Sequence, residues 1–148
     1  MNIQDLLSAS RVKLNLESNT KGDVINELID ILYEDGKLSD KDRYREAVLR
    51  REEEFSTGIG MGIAIPHAKD ISVKEAALTF GISKTGIDYK ALDGTSAHLF
   101  FLIAVPDNSN DVHLKLLSYI SRKLMHQEVR DRLMSAKTYD DVLAAFKD

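Results

Sequence analysis

The chain has 148 residues, is 43% hydrophobic and carries a formal charge of −4 with a pI near 5.6. That is enough for one domain burying roughly 70% of its unfolded surface, and too acidic for a general attraction to nucleic acid or anionic lipid. It contains no cysteine, which removes disulfides, thiolate metal sites and cysteine nucleophiles and leaves histidine as the leading candidate for covalent chemistry.

No apolar run approaches the roughly 20 residues of a membrane helix. The start, Met1-Asn2-Ile3-Gln4-Asp5, has no basic segment leading into an apolar signal core, so a cytoplasmic protein is expected. Along the chain, Val12, Leu14 and Leu16 alternate with polar residues and predict a strand over 11–17. Val24, Ile25, Leu28, Ile29 and Leu32 recur at helical spacing before Gly36, predicting a helix over 21–34. Ser39 or Asp40 is placed to cap a second helix, with Tyr44, Ala47, Val48, Arg51 and Phe55 as its inward stripe.

Three glycines, Gly58, Gly60 and Gly62, then lead into Ile63-Ala64-Ile65-Pro66-His67, a loop feeding a short strand. Leu78, Phe80 and Ile82 alternate, and Leu99 to Val105 is apolar throughout, as in a central strand covered on both faces. Gly86 to Tyr89 predicts a short edge strand. The remainder reads as helices near 110–125, 127–135 and 138–147. The expected fold is a single α/β (mixed α+β) domain over 1–148, with a mixed sheet of about five strands flanked by helices on both faces.

Three polar residues stand where chemistry is plausible. His67 ends an apolar strand just after the glycines. A neutral imidazole there has one nitrogen free to attack phosphorus and later release it, although a strand-end histidine bonded to the backbone has the same local sequence. His113 heads the stripe Leu116, Leu117, Ile120 and Leu124 near a helix start capped by Asn110 or Ser109. The positive helix end suits a neutral, anion-facing imidazole, and equally a satisfied core histidine. Arg51, on an inward face, needs an anion: a structural carboxylate or a phosphoryl group.

His98 and His126 read as structural. No histidine pair has helical metal-ligand spacing, so no metal or other cofactor is expected. The Gly58-x-Gly60-x-Gly62 run is not a nucleotide loop, since no Lys-Ser/Thr follows and it opens no helix.

The segment Ser56-Thr57-Gly58-Ile59-Gly60-Met61-Gly62-Ile63-Ala64-Ile65-Pro66-His67-Ala68 resembles the phosphorylation-site signature of enzyme IIA domains of the fructose/mannitol type, from the sugar phosphotransferase system (PTS). Arg51-Glu52, Asp93-Gly94 entering Leu99 to Pro106, and Asp111-Val112-His113-Leu114-Lys115-Leu116-Leu117 resemble that family in order and spacing. The resemblance implies a cytoplasmic phosphotransferase: the carrier HPr phosphorylates His67, which passes the group to a cysteine of a IIB domain, for uptake through membrane IIC.

It makes His67 the phosphorylated nucleophile, with His113 and Arg51 as phosphate stabilisers. Apolar residues around His67 are then expected for partner docking, with Ile59, Met61 and Ile63 as candidates. Fructose-type sugar transport is the favoured branch, from Ile65-Pro66-His67-Ala68-Lys69 and Gly86-Ile87-Asp88-Tyr89. The alternative is a nitrogen-related regulatory IIA phosphoprotein acting by protein binding. A small-molecule or metal module using His67 and His113 is a third reading.

Overall fold

The computed structural model of the chain describes residues 3–147. The chain runs β1 (Val12–Lys13), α1 (Lys21–Glu34), α2 (Lys41–Glu54), β2 (Gly58–Gly60), β3 (Ile63–Ala64), β4 (His67–Asp70), β5 (Ala77–Ile87), β6 (Ala97–Pro106), α3 (Val112–Leu124), α4 (Gln127–Met134) and α5 (Tyr139–Ala145). Short 3₁₀ turns at Ile3–Asp5 and Ala9–Arg11 precede β1.

The strands form one mixed sheet of six, in the order β1-β5-β6-β3-β2, with β4 also pairing β6. β5 and β6 form the antiparallel centre, while β1 lies parallel to β5 and β3 and β4 lie parallel to β6. Because side chains alternate across a strand, β6 supplies two cores. Leu99, Phe101, Ile103 and Val105 pack with Leu116, Ile120 and Leu124 of α3, Leu133 of α4 and Val142 of α5. Phe100, Leu102 and Ala104 pack with Val24, Leu28 and Leu32 of α1 and Tyr44 and Val48 of α2. An uninterrupted apolar strand and helices on both faces are thus one fact.

The structure sharpens several expectations. The segment over 11–17 is a strand only at Val12–Lys13, although the Leu16 N–H still bonds the Ile82 carbonyl at 2.8 Å. Leu16 lies where a side chain on Gly81 would sit, which keeps it against β5 without regular pairing. Helix α1 matches the spacing and is capped by the Thr20 side chain; Asp40 caps α2. The stripe of α2 is Tyr44, Val48 and Glu52, whereas Phe55 lies past the helix end and is 73% exposed. Gly86 continues β5 and forms no separate edge strand. The N-cap position of α3 is Asp111, neither Asn110 nor Ser109, and its side chain makes no capping bond.

The strand expected at 63–67 is broken. β3 pairs Ile63 and Ala64 with Leu99 and Phe100, and β4 resumes at His67 opposite Ile103. Pro66, which has no N–H to donate, sits in the interruption. The turn between β2 and β3 depends on Gly60, whose φ is +90° and whose added Cβ would lie 2.5 Å from Asp93 Oδ2. That carboxylate is held by the N–H groups of Met61 and Thr95, both at 3.0 Å. Gly60→Ala is therefore expected to lower stability by about 1–3 kcal/mol, read as a shifted urea midpoint; an unmoved midpoint would contradict it.

Candidate active site

Three elements bring the candidate residues together. β4 begins at His67, α2 carries Arg51 in its last turn, and α3 carries His113 in its first. The Tyr44 hydroxyl of α2 donates to the Ile103 carbonyl at 3.0 Å, locking α2 beside the strand that His67 pairs with. All three residues line one open depression of about 570 Å³, with Ala47, Arg50 and Glu54 from α2, Ala68, Lys69 and Asp70 from β4, and Leu114 and Leu117 from α3. The Lys69 ammonium bonds the Asn110 carbonyl at 3.0 Å and ties β4 to the α3 entry.

The break at Ile65–Pro66 leaves the Ile65 carbonyl turned toward the His67 ring, whose Nδ1 lies 2.8 Å away. A carbonyl can only accept, so the proton is assigned to Nδ1 and the lone pair to Nε2. Burial holds the imidazole below its ordinary value of 6.5; the Ile65 carbonyl partly offsets this, and the Arg51 charge reinforces it. The ring is neutral at pH 7, as a nitrogen nucleophile must be.

His113 Nδ1 is buried without a hydrogen-bond partner. An orphaned N–H is the rarer and costlier state, so the proton is assigned to Nε2. Arg51 has no ion pair among the described residues, and its Nη1 donates to the Phe55 carbonyl at 3.1 Å. The ion pair nearby joins the buried Glu52 carboxylate to the partly exposed Lys21 ammonium, 3.0 Å apart. Asp70, although it lines the depression, is engaged: burial opposes its ionisation, but bonds from Ser72 and the Arg43 charge hold it below the usual carboxylate range.

Other expectations do not fall in this place. Ile63 is buried, and Ile59 on β2 and Met61 on the β2–β3 turn are exposed without lining the depression. They sit there because β2 and β3 pair with each other, and β3 with the Leu99 end of β6, whereas β4 lies farther along β6. The apolar lining comes from Ala47, Ala68, Leu114 and Leu117. His98 bonds the Ser83 carbonyl at 2.9 Å and packs over Gly86. His126 lines a larger cavity, about 780 Å³, between α3, α4 and α5. The sequence offers Glu52 as a local carboxylate for Arg51 but not as part of the buried stripe, although steps of four from Tyr44 and Val48 lead to it.

A family model described as "Phosphoenolpyruvate-dependent sugar phosphotransferase system, EIIA 2" matches residues 5–148. The chain belongs to this family. As an EIIA member it is a phosphotransfer component. It is 48% identical over 143 residues to the PTS system fructose-specific EIIABC component of Bacillus subtilis, covering 97% of this chain and 22% of that protein. The chain thus spans about a fifth of that relative's length.

A PTS system fructose-specific EIIA component of Haloferax volcanii is 40% identical, over 97% of both chains. The crystal structure of the nitrogen regulatory protein IIA-Ntr from Neisseria meningitidis superposes with a TM-score of 0.89, at 29% identity and over 97% of both chains. Among the described residues no helix is long and apolar enough to cross a membrane.

Proposed function

We propose that residues 1–148 act as one cytoplasmic IIA unit in which His67 carries a phosphoryl group from phospho-HPr to a cysteine of a cognate IIB domain. The observation that carries this is the His67 ring itself, with Nδ1 held by the Ile65 carbonyl and Nε2 left as the basic nitrogen. The Nε2 lone pair attacks phosphorus, the P–N bond of phospho-HPr breaks, and the departing imidazole keeps that electron pair. In the second step a IIB thiolate attacks the phosphorus, the P–Nε2 bond breaks, and its electron pair returns to His67, which is neutral again.

A loose phosphoryl transition state asks for in-line placement and donors for the equatorial oxygens, and little else. Arg51 supplies guanidinium N–H groups and His113 its Nε2–H. The scheme needs no metal, other cofactor or nucleic acid, and IIC is served only indirectly. Fructose-type transport is favoured over nitrogen regulation because the two fructose-specific relatives are 48% and 40% identical. The regulatory reading draws on the 0.89 TM-score of the IIA-Ntr structure.

Incubation with phosphoenolpyruvate, enzyme I and HPr should add the mass of one phosphoryl group, which purified IIB then removes. An unmodified wild type would refute carrier function, and a labelled protein that no IIB discharges would favour the regulatory reading. Protonation blocks attack, and burial holds the His67 pKa below 6.5. The acid limb of phosphoryl acceptance should therefore be centred below pH 6.5, with more than half of the plateau rate kept at pH 6.5, in stopped-flow transfer from phospho-HPr. An acid limb centred above 6.5 would contradict the burial argument.

A further inference from the structure

Glu52 is buried, 9% exposed, in the last turn of α2, and the transfer scheme makes no use of it. One carboxylate oxygen accepts from the Thr57 backbone N–H and from Lys21 Nζ, each at 3.0 Å. The other accepts from the Tyr89 hydroxyl at 3.0 Å and from the Thr57 hydroxyl. Lys21 Nζ also sits 4.6 Å over the Tyr89 ring. A buried carboxylate is costly unless paired and fully bonded, and here the donors come from α1, from the segment entering β2 and from the turn after β5.

The bond from Glu52 to the Thr57 N–H closes the chain around residues 53–56. Inside that closure lies Phe55, whose ring is exposed and whose carbonyl receives the Arg51 guanidinium at 3.1 Å, next to Ser56, whose hydroxyl donates to the Tyr89 carbonyl at 2.6 Å. We propose that Glu52 is a positioning residue: its clamp on Thr57 places the Phe55 carbonyl, and that carbonyl holds Arg51 at the His67 depression. The inference rests on the phosphotransfer reading and adds the residue on which Arg51 depends.

Three variants test it. Glu52→Ala removes the clamp. Glu52→Gln keeps an oxygen for the Thr57 N–H and Lys21, while its amide faces two hydroxyls able to turn and accept. Glu52→Asp retracts the carboxylate by one methylene and takes the place of Glu52→Ala should that variant not fold. Wild type is first shown to be labelled on His67, which separates failure of the carrier reading from failure of this one.

Single-turnover transfer from phospho-HPr, well below each melting temperature, should slow about tenfold in Glu52→Ala and stay within about twofold of wild type in Glu52→Gln. In an Arg51→Ala background, Glu52→Ala should cost almost nothing further. Wild-type rates in Glu52→Ala, a Glu52→Gln as slow as Glu52→Ala, or an equal loss with and without Arg51 would each overturn the proposal.

Discussion

His67→Gln should fold and accept no phosphoryl group from phospho-HPr. Glutamine is polar and near in size, but its amide nitrogen shares its lone pair with the carbonyl and is not a nucleophile. The lost Nδ1 bond to Ile65 costs about 0.5–1.5 kcal/mol, too little to unfold a domain of this size. Intact mass after incubation with phosphoenolpyruvate, enzyme I and HPr should show labelled wild type and unlabelled variant. Circular dichroism would show both folded. Labelling of the variant at the wild-type level would move the nucleophile elsewhere, and the depression offers only His113 as another imidazole.

Arg51→Ala and His113→Ala should each slow transfer to and from His67 by about 10²-fold while leaving the protein folded, the usual loss when one donor to a developing anion is removed. Arg51 is half-buried and bonds the Phe55 carbonyl, so its removal disturbs little packing. His113 holds a buried, unpartnered Nδ1, so its replacement also removes an unsatisfied group. Arg51→Lys should recover little, because an ammonium cannot bind the Phe55 carbonyl and a phosphoryl oxygen in the planar geometry of a guanidinium. Rapid-quench transfer checks all three, and unaltered rates in both alanine variants would refute the assigned roles.

Much of the fold is legible in the sequence because burial writes itself into periodicity. The five apolar residues of α1 and the unbroken run of β6 report their surroundings directly, since a helix repeats near 3.6 residues and a strand at two. Edges were harder. β1 is regular only at Val12–Lys13, yet Leu16 stays on β5 through its N–H to the Ile82 carbonyl and its side chain over Gly81, so the alternation reads as strand beyond the regular pairing. The β3–β4 break comes from a proline in a strand that would otherwise look continuous. In α2, reading Arg51 and Phe55 as inward missed Glu52, because a carboxylate is assumed to face water until its donors are known.

By itself, the sequence determined the layers of the fold and, through the glycine run ending in Ile65-Pro66-His67, the family and its candidate nucleophile. Only the tertiary structure decided which polar residues share a site. α2, β4 and α3 converge because all three pack around β6. That convergence sets Arg51, His67 and His113 around one depression, and it pairs the buried Glu52 with Lys21 while leaving Arg51 on a backbone carbonyl. Hydrogen-bond partners distant in the chain, such as Tyr89 for Glu52, leave no local periodicity to read, because they are chosen by packing and not by spacing.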